Sequence, residues 1–341
     1  MKALKYYGPG KVELDRLPTP TIGPGELLVS VKACGICATD VKTFVRGHPK
    51  IAPGAVLGHE VVGEIIAGGE AGFAPGDRVV IAPYAPCRSC RACRQGYFSL
   101  CDHLFESSLD PGGFAETVRV PQRIVEQGLL HLPETLDLVT ATLTEPLACC
   151  LHGLEALQLQ AGESLLIIGD GPMGLLQAIA GRSLGAKPVI LSGLTPLRLE
   201  MARTLADVVV DISQTDLAEV VTATVPGGVD KVIVSVGDVG AAQAAFPLAG
   251  KGGAINLFAG LPANTTLPLD ASRIHYDEIR VLGTFGFGPA HFRQALALLT
   301  QNPTLFSRLI TTTISLAEVK EALTAAARYE SIKTVVVMDQ T

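Results

Sequence analysis

Four cysteines stand close together in one Pro- and Arg-rich loop of the sequence. They are Cys87, Cys90, Cys93 and Cys101, in the pattern C-x2-C-x2-C-x7-C. Four thiolates close a tetrahedral shell around zinc and leave no position for a substrate, so the spacing predicts a structural zinc site. Neighbouring Arg88, Arg91 and Arg94 are expected to lower the thiol pKa values. The alternatives are four unrelated cysteines, which the close spacing disfavours, a nucleic-acid-binding zinc ribbon, and an iron–sulfur ligand set.

A second set of possible metal ligands is spread over three segments. It comprises Cys37 in the segment CGICATD, then His59 and Glu60, and finally Glu145. One thiolate, one imidazole and one carboxylate can hold zinc while a fourth position stays open for a substrate oxygen, as a catalytic zinc requires. Each motif is weak by itself, because a lone His after Gly is more often a surface or capping residue. Together they predict a catalytic metal site.

A glycine-rich turn suggests a dinucleotide site. The apolar segment LLIIG (165–169) leads into a G-x-G-x-x-G pattern, and the helical segment LLQAIAGRSLG follows. Between a strand and a helix, such glycines allow a tight turn and bring a pyrophosphate close to the helix N-terminus. The residues expected to bind the dinucleotide here are Gly169, Gly171, Pro172, Met173 and Gly174.

Composition narrows the class of protein. Hydrophobic residues make up 48% and charged residues 18% of the 341 residues, which is typical of a globular protein. The formal net charge of -6 and the lack of a basic face argue against nucleic-acid binding. No segment is apolar enough to span a bilayer or to act as a signal core, so we expect a cytoplasmic protein. In that compartment the eight cysteines are expected to be metal ligands or thiols, with Cys34, Cys149 and Cys150 as buried thiols.

The pattern of elements predicts two domains. Short β-branched runs at 26–31, 61–66 and 78–81 indicate strands of an irregular β domain. Near Glu145 the pattern changes to apolar strands that alternate with helical segments, beginning with a helix at 147–157 and continuing with a helix from Pro172. Such alternation predicts βαβ units and a parallel sheet that is buried on both faces.

The order and spacing of these motifs resemble a known family over essentially the whole chain. The segments are GICATD, GHEVVGEI, PGDRVVI, the four-cysteine loop, GGFAE and EPLACCLHG, and they are similar to the zinc-containing medium-chain dehydrogenases. The resemblance implies an α/β protein with a GroES-like β catalytic domain at 1–148 and 286–341. It also implies a Rossmann dinucleotide-binding domain, with a doubly wound parallel sheet, at 149–285.

The resemblance also implies roles at the metal site. Cys37 and His59 are expected to be ligands of the catalytic zinc, and the family's third ligand position falls on Glu145. Glu60 adjoins the metal in the family and exchanges with another ligand in some members, so only one of the two acids is expected to bind tightly at a time. Thr39 is expected to pass the substrate proton toward solvent, and Asp40 to accept a hydrogen bond from a ring nitrogen of His59. Thr39 and Asp40 also fit a simple helix N-cap.

Further residues are implied at the dinucleotide site. The second strand ends at Gly193, about where NAD-preferring members present an acid to the ribose hydroxyls. Ser192, Thr195 and Arg198 are candidates to receive a 2′-phosphate, so NADP is favoured, with NAD as the alternative. On the nicotinamide side the resemblance places Val236, Gly260 and Thr284.

These features together predict a zinc-dependent oxidoreductase that transfers a hydride between a polyol or secondary alcohol and NAD(P). An acid in EPLA resembles the polyol dehydrogenases more than the simple-alcohol enzymes. The alternatives are an activity like that of L-threonine 3-dehydrogenase or of a simple secondary-alcohol dehydrogenase and, in another class, a non-catalytic zinc- and dinucleotide-binding sensor. Relatives imply a homo-oligomer, either a dimer or a tetramer. The expected partner is a small-molecule alcohol or polyol, with no nucleic acid and no membrane.

Overall fold

The computed structural model describes residues 1–69 and 72–338, and it divides into two compact units. The first unit comprises Met1–Ala148 and Phe287–Thr341, and the second comprises Cys149–Gly286. Gly286 packs with the second unit, whereas the predicted division placed it in the first; the division into functional domains remains a prediction. Within the described ranges, no helix has the length and apolar character that crossing a lipid bilayer requires.

Strands and helices alternate through most of the chain. Strands β1 to β15 are Lys2–Gly8, Lys11–Arg16, Leu27–Gly35, Glu60–Ala67, Arg78–Ile81, Thr117–Val120, Leu129–His131, Leu165–Ile168, Val189–Gly193, Val208–Asp211, Val229–Val234, Ala249–Leu257, Arg280–Gly283, Ile310–Ile314 and Lys333–Val337. Helices α1 to α13 are Ala38–Arg46, Arg91–Arg94, Gln122–Gln127, Leu138–Ala141, Thr144–Ala156, Pro172–Ser183, Pro196–Ala202, Leu217–Thr224, Val239–Ala245, Ala271–Tyr276, Pro289–Gln301, Pro303–Ser307 and Val319–Ala327.

The first unit is built on a seven-stranded sheet in the order β14-β15-β3-β4-β5-β7, with β6 also paired to β3. Its pairs are antiparallel except for β14 and β15. Along β3, residues Leu27, Val29 and Val31 are buried, while the residues between them are half-buried. This alternation is what one buried face of an antiparallel sheet requires. The pairing of β15 with β3 brings two distant parts of the sequence together at the metal site.

The second unit contains a parallel six-stranded sheet in the order β10-β9-β8-β11-β12-β13. Numbered within the unit, this order is 3-2-1-4-5-6, the arrangement of the doubly wound dinucleotide-binding fold. All four residues of β8 and all five of β9 are buried. The predicted parallel sheet is therefore confirmed, and its apolar strands are explained by burial on both faces.

Several predicted boundaries differ from the observed ones by a few residues. The strand predicted at 26–31 extends to Gly35 as β3, and the helix predicted at 147–157 begins earlier, at Thr144, as α5. The extension of β3 matters because it carries the chain directly to Cys37. The earlier start of α5 places Glu145 in the first helical turn, so it belongs to the helix rather than to the preceding loop.

Candidate metal centres and dinucleotide site

Cys37 is fixed by the start of helix α1. It is the N-cap residue, its Sγ accepts a hydrogen bond from the backbone N–H of Thr39 at 3.5 Å, and its own N–H donates to Asp40 Oδ2 at 2.9 Å. Sulfur takes the place that a Ser or Asp oxygen usually occupies at a cap. The N-cap is therefore Cys37, not Thr39 or Asp40 as the alternative interpretation had it, and Thr39 is exposed in the first turn.

His59 lies in the segment that leads into β4. Gly58, with a φ of +86°, turns the chain there, and its N–H donates to Asp40 Oδ1 at 3.1 Å. The same Oδ1 is 3.7 Å from His59 Nδ1. That distance corresponds to an ionic contact and is too long for the hydrogen bond that the sequence analysis expected. Asp40 is buried, and it positions both the Cys37 and the His59 segments.

Glu60 is buried beside a lysine from the far end of the sequence. Lys333 Nζ donates to Glu60 Oε1 at 2.6 Å and to the Ile36 carbonyl at 2.9 Å. Nζ is also 2.5 Å from Glu60 Oε2, but that oxygen accepts no hydrogen bond within the described residues. A Cβ on Gly35 would lie only 1.8 Å from Oε2, so glycine at this position makes room for the carboxylate. Lys333 is not among the residues predicted from the sequence to lie at this site.

Three of the predicted ligands converge. One ligand atom each from Cys37, His59 and Glu60 lies within 4.8 Å of the others, so these residues could hold a metal ion. Among the described residues this group does not include Glu145, which is buried in the first turn of α5. Glu60 Oε2 is among the buried atoms of the described residues that lack a hydrogen-bond donor, and a metal ion would share this carboxylate with Lys333, whose Nζ is 2.5 Å from it. The donor set and this oxygen fit zinc.

The charges around this group favour a cation. Burial lowers the pKa of His59, but the negative charges of Cys37 and Asp40 outweigh burial and raise it well above its ordinary value. Burial lowers the pKa of Lys333 as well, but the negative charges of Glu60 and Cys37 outweigh burial and raise it above its ordinary value. Burial raises the pKa of Glu145 to about 7. A site that stabilises positive charge on an imidazole also stabilises a metal ion there.

The four loop cysteines converge as a second group. Their sulfur atoms all lie within 4.8 Å of one another. Cys90 N–H donates to Cys87 Sγ at 3.3 Å, Cys93 N–H to Cys90 Sγ at 3.5 Å, and Cys87 N–H to Cys101 Sγ at 3.3 Å. Backbone donors directed at sulfur stabilise thiolates, so four thiolates with this support fit a closed tetrahedral zinc site.

The thiol pKa values in this loop are governed by hydrogen bonds and burial. Hydrogen bonds from Ser89 and the Cys90 N–H lower the pKa of Cys87 to about 5, while burial raises that of Cys93 to about 12. Of the three neighbouring arginines, Arg88 contributes to the pKa of Cys93, which its backbone N–H lowers, but burial has the larger effect there. The Arg88 side chain donates to Gln127, at 2.7 Å.

The three remaining cysteines, all predicted to be buried, differ in their exposure to solvent. Cys34 and Cys150 are fully buried, whereas Cys149 is half-buried. Burial raises the pKa of Cys34 well above its ordinary value, which keeps this thiol protonated.

The glycine-rich turn connects β8 to α6 in the second unit. Gly169 has a φ of +122°, and Gly171 is the N-cap of α6 without any side-chain cap. A Cβ on Gly171 would meet nothing within 4 Å, whereas a Cβ on Gly174 would lie 1.9 Å from the Gly169 carbonyl oxygen. Gly171 therefore leaves the helix N-terminus open to a ligand, and Gly174 allows close packing of helix on strand. Pro172 and Met173 begin α6.

The proposed 2′-phosphate residues lie around the end of β9. Ser192 is buried and its hydroxyl donates to the Ile167 carbonyl at 3.4 Å, so it is used within the sheet. Arg198 is buried in α7, and the Thr195 N–H donates to Asp170 Oδ2. The carboxylate of Asp170 lies 2.4 Å from the point where a Gly193 Cβ would be. An acidic side chain is therefore present at the end of β9 even though residue 193 is a glycine.

The nicotinamide-side residues follow the carboxyl ends of three neighbouring strands. Val236 lies just beyond β11, Gly260 beyond β12 and Thr284 beyond β13. Val236 and Gly260 are accessible to solvent, while the Thr284 hydroxyl accepts a hydrogen bond from Asn256 Nδ2 at 3.1 Å. All three are at the same edge of the sheet as the glycine-rich turn, the edge at which doubly wound sheets bind ligands.

Two domain families match this chain. Residues 23–133 match the alcohol dehydrogenase GroES-like domain, and residues 172–301 match the zinc-binding dehydrogenase domain. The chain is 33% identical to a sorbitol dehydrogenase of Halalkalibacterium halodurans, and the alignment covers 98% of each chain. The chain belongs to the zinc-containing medium-chain dehydrogenase family. The resemblance and the GroES-like and Rossmann fold class are thereby confirmed.

Two further relatives of this dehydrogenase are informative. It is 31% identical to a D-arabitol-phosphate dehydrogenase of Enterococcus avium, over 98% of this chain and 97% of the relative. It is also similar to the crystal structure of a zinc-binding dehydrogenase from Sinorhizobium meliloti 1021 bound to NADP, with a TM-score of 0.89, 34% identity and 98% coverage of both chains. The chain is accordingly a zinc-binding, NAD(P)-dependent oxidoreductase of the alcohol and polyol dehydrogenase type.

Proposed function

We propose that the chain oxidises a polyol or secondary alcohol with a nicotinamide dinucleotide at a catalytic zinc held by Cys37, His59 and Glu60. The observation that carries this proposal is the convergence of one ligand atom each from Cys37, His59 and Glu60 within 4.8 Å of one another. Glu145 is the candidate to replace Glu60 when Lys333 holds Glu60 away from the metal. A zinc ion in this site acts as a Lewis acid that polarises the substrate oxygen and eases loss of its proton.

The chain's own residues supply orientation and proton movement. Asp40 holds the Cys37 N–H and the Gly58 N–H, which fixes the segments on either side of the site. Thr39 is exposed two residues after Cys37, so its hydroxyl can pass a proton from the substrate hydroxyl to water. Lys333 neutralises the buried charge of Glu60, which would otherwise be costly.

The four-cysteine loop and the start of helix α6 are the other two binding sites that we propose. The four loop cysteines hold a second, structural zinc, because their four sulfur atoms fill a tetrahedral shell. The uncapped N-terminus of α6 binds the pyrophosphate of the dinucleotide through backbone N–H groups. A bound nicotinamide would supply the redox chemistry, since its C4 would exchange a hydride with the carbinol carbon. We also infer, from family resemblance, a dimer or tetramer, which sedimentation analysis tests.

The polyol class is favoured over threonine and simple secondary alcohols by the acidic third ligand and by the relatives that act on sorbitol and D-arabitol phosphate. Purified protein should reduce the dinucleotide in a panel of polyols, polyol phosphates, secondary alcohols and L-threonine. The highest kcat/KM is expected for a member of the polyol group. Turnover of L-threonine alone would replace this substrate class, and absence of turnover despite tight dinucleotide binding would favour the sensor alternative.

Cys37→Ser tests the catalytic zinc, with Cys34→Ala as the matched control. Cys37 lies at the metal group, while Cys34 is a fully buried thiol three residues earlier on β3. Cys37→Ser should lose catalytic zinc and activity, and Cys34→Ala should keep both. Full activity of Cys37→Ser would contradict the catalytic site.

Glu60→Gln and Glu145→Gln separate the two acids. If Glu60 is the resident ligand, Glu60→Gln lowers the affinity for the catalytic zinc more than Glu145→Gln does, as measured by competition with a chelator. The reverse order would assign the third ligand to Glu145.

A further inference from the structure

The carboxylate of Asp170 lies where a side chain of residue 193 would otherwise lie. Strands β8 and β9 are neighbours, with Ile168 opposite Ser192, and the Gly169 N–H donates to the Ser192 carbonyl at 2.9 Å. Asp170 follows Gly169 and Gly193 follows Ser192, so this hydrogen bond brings Asp170 and Gly193 close together. A Cβ built on Gly193 would be 2.4 Å from both Cβ and Oδ2 of Asp170.

Gly193 is a glycine for lack of space. Its φ lies outside the left-handed region, so its backbone conformation is open to other residues. The contact with Asp170 is what excludes a side chain at this position. The two residues thus form an exchange pair, in which the acid is on the glycine-rich turn and the glycine is at the end of the second strand.

Asp170 is held firmly in this place. Its side chain is nine-tenths buried, since the residue is only 8% exposed. Oδ2 accepts hydrogen bonds from the backbone N–H groups of Leu194 at 2.9 Å and Thr195 at 2.6 Å. These two donors at the end of β9 are therefore engaged by a carboxylate and are not offered to a phosphate. A carboxylate has about four acceptor positions, so Asp170 can still accept from ribose hydroxyls.

Two of the three candidates for a 2′-phosphate, Ser192 and Arg198, are buried within the second unit, while Thr195 is half-buried. Ser192 is 1% exposed and donates to the Ile167 carbonyl, and Arg198 is 7% exposed and has a partner of its own. A 2′-phosphate at the end of β9 would instead meet the negative charge of Asp170. Like charges brought together in this way oppose binding.

We propose that Asp170 is the residue that selects the cofactor: its carboxylate receives the adenosine ribose hydroxyls in place of an acid at position 193 and excludes a 2′-phosphate, so the chain prefers NAD to NADP. This reverses the preference predicted from Gly193 alone. The inference rests on the proposed dinucleotide site, and its tests measure binding to the zinc-loaded protein as well as turnover.

The first test uses the wild-type protein and four ligands. NADH, NADPH, ADP and adenosine 2′,5′-bisphosphate are titrated by fluorescence or calorimetry at fixed salt. NADH should bind at least about tenfold more tightly than NADPH, a ratio that corresponds to about 1.4 kcal/mol. ADP should likewise bind more tightly than adenosine 2′,5′-bisphosphate, which confines the difference to the adenosine half. A ratio below about tenfold, or a preference for NADPH, overturns the inference.

The second test compares Asp170→Asn with Asp230→Asn. Asp230 is a matched control because its carboxylate also accepts two hydrogen bonds, from Ser164 N at 2.8 Å and Ser164 Oγ at 2.6 Å, but lies at the amino end of β8. Asp170→Asn should reduce the NADH:NADPH affinity ratio at least about tenfold, chiefly by improving NADPH binding. Asp230→Asn should keep the wild-type ratio. Equal ratios in both variants overturn the inference.

A double variant guards against a merely structural effect of Asp170. Asp170→Gly combined with Gly193→Asp moves the acid from the glycine-rich turn to the end of β9 and relieves the crowding between the two positions. It should restore the preference for NADH that Asp170→Asn weakens. Failure to restore it in a folded protein contradicts the exchange. Failure of wild-type protein to bind either dinucleotide would instead refute the proposed function, and the inference with it.

Discussion

Glu60 is a buried carboxylate whose Oε1 and Oε2 lie 2.6 and 2.5 Å from Lys333 Nζ. Lys333 supplies a compensating charge for this buried carboxylate. The same contact suggests how Glu60 could exchange with another ligand of the proposed zinc, since its carboxylate can turn toward the metal or toward Lys333. Glu145, with a pKa raised to about 7 by burial, is the acid that can take up the change.

Replacing Thr39 tests the proton path. Thr39→Val removes the hydroxyl but keeps the shape, so kcat should fall by about 100-fold or more if this hydroxyl carries the proton. Thr39→Ser keeps a hydroxyl and should stay close to wild type. Zinc content and dinucleotide affinity are measured in parallel and should not change. A Thr39→Val enzyme with wild-type kcat would exclude the relay.

The residues that sequence reasoning missed share one property. Lys333 binds the carboxylate of Glu60, which is 273 positions earlier. Asp170 lies in the glycine-rich turn, but its carboxylate lies beside Gly193 at the end of the next strand. Each residue therefore contacts a segment other than its own. Cys37 and His59 could be assigned because the family motif includes them. Lys333 could have been suspected only as a lysine at the start of an apolar strand segment, KTVVV.

The turn from β8 to α6 shows that the three motif glycines serve different purposes. Gly171→Ala adds a methyl group in open space, so the protein should fold as stably as wild type but bind the dinucleotide poorly. Gly174→Ala places a methyl group against the Gly169 carbonyl and should lower the free energy of unfolding by about 1 to 3 kcal/mol. Denaturant unfolding and NADH titration of both variants distinguish the two effects. Equal stability of the variants would contradict this assignment.

Helix α13 packs against α1, the helix that begins at Cys37, and is preceded by a capping box. Glu318 accepts from the N–H and the hydroxyl of Ser315 at 2.8 and 2.7 Å, and these hydrogen bonds lower the pKa of Glu318 below its ordinary value of 4.5. A lowered folded-state pKa stabilises the protein above the unfolded-state value and is lost as the pH falls through the folded-state value. The cap therefore weakens in acid.

Glu318→Gln tests this dependence. The variant should be less stable than wild type at pH 7, and the difference should shrink as the pH falls below the ordinary value of 4.5. Glu321→Gln, which removes an exposed carboxylate from the first turn of the same helix, serves as the control. Urea unfolding at several pH values measures both. A difference that is constant with pH would show that the Glu318 charge is irrelevant.

Across the molecule, the two metal groups should respond differently to metal removal. The proposed catalytic group has three ligands and the proposed structural group has four, so a chelator should remove zinc from the group of Cys37, His59 and Glu60 first. Activity should then be lost while the thermal unfolding temperature changes little. Cys93→Ser should instead lower the unfolding temperature, because a four-thiolate site contributes to folding. Zinc analysis, activity and calorimetry on the same samples test this, and the opposite pattern would reverse the two roles.

The sequence predicted those features of the architecture that depend on the residues of one segment alone. The runs LLII and VILSG predicted buried strands, because β8 and β9 are covered on both faces. The spacing of the four cysteines predicted that their sulfur atoms come together. The sequence could not reveal which strands become neighbours. The pairing of β15 with β3 therefore came only from the structure.

That pairing has a consequence for the order of events during synthesis. Lys333 follows Glu60 by 273 residues, so at about 5 to 20 residues per second roughly 14 to 55 s separate their translation. All of 149–286 is made in that interval. Until β15 arrives, the edge of β3 at Cys34 and Gly35 has no partner there, and the Glu60 carboxylate lacks its cation. Lys333 is thus translated long after Glu60, so this edge of β3 and the Glu60 carboxylate lack these partners until the end of synthesis.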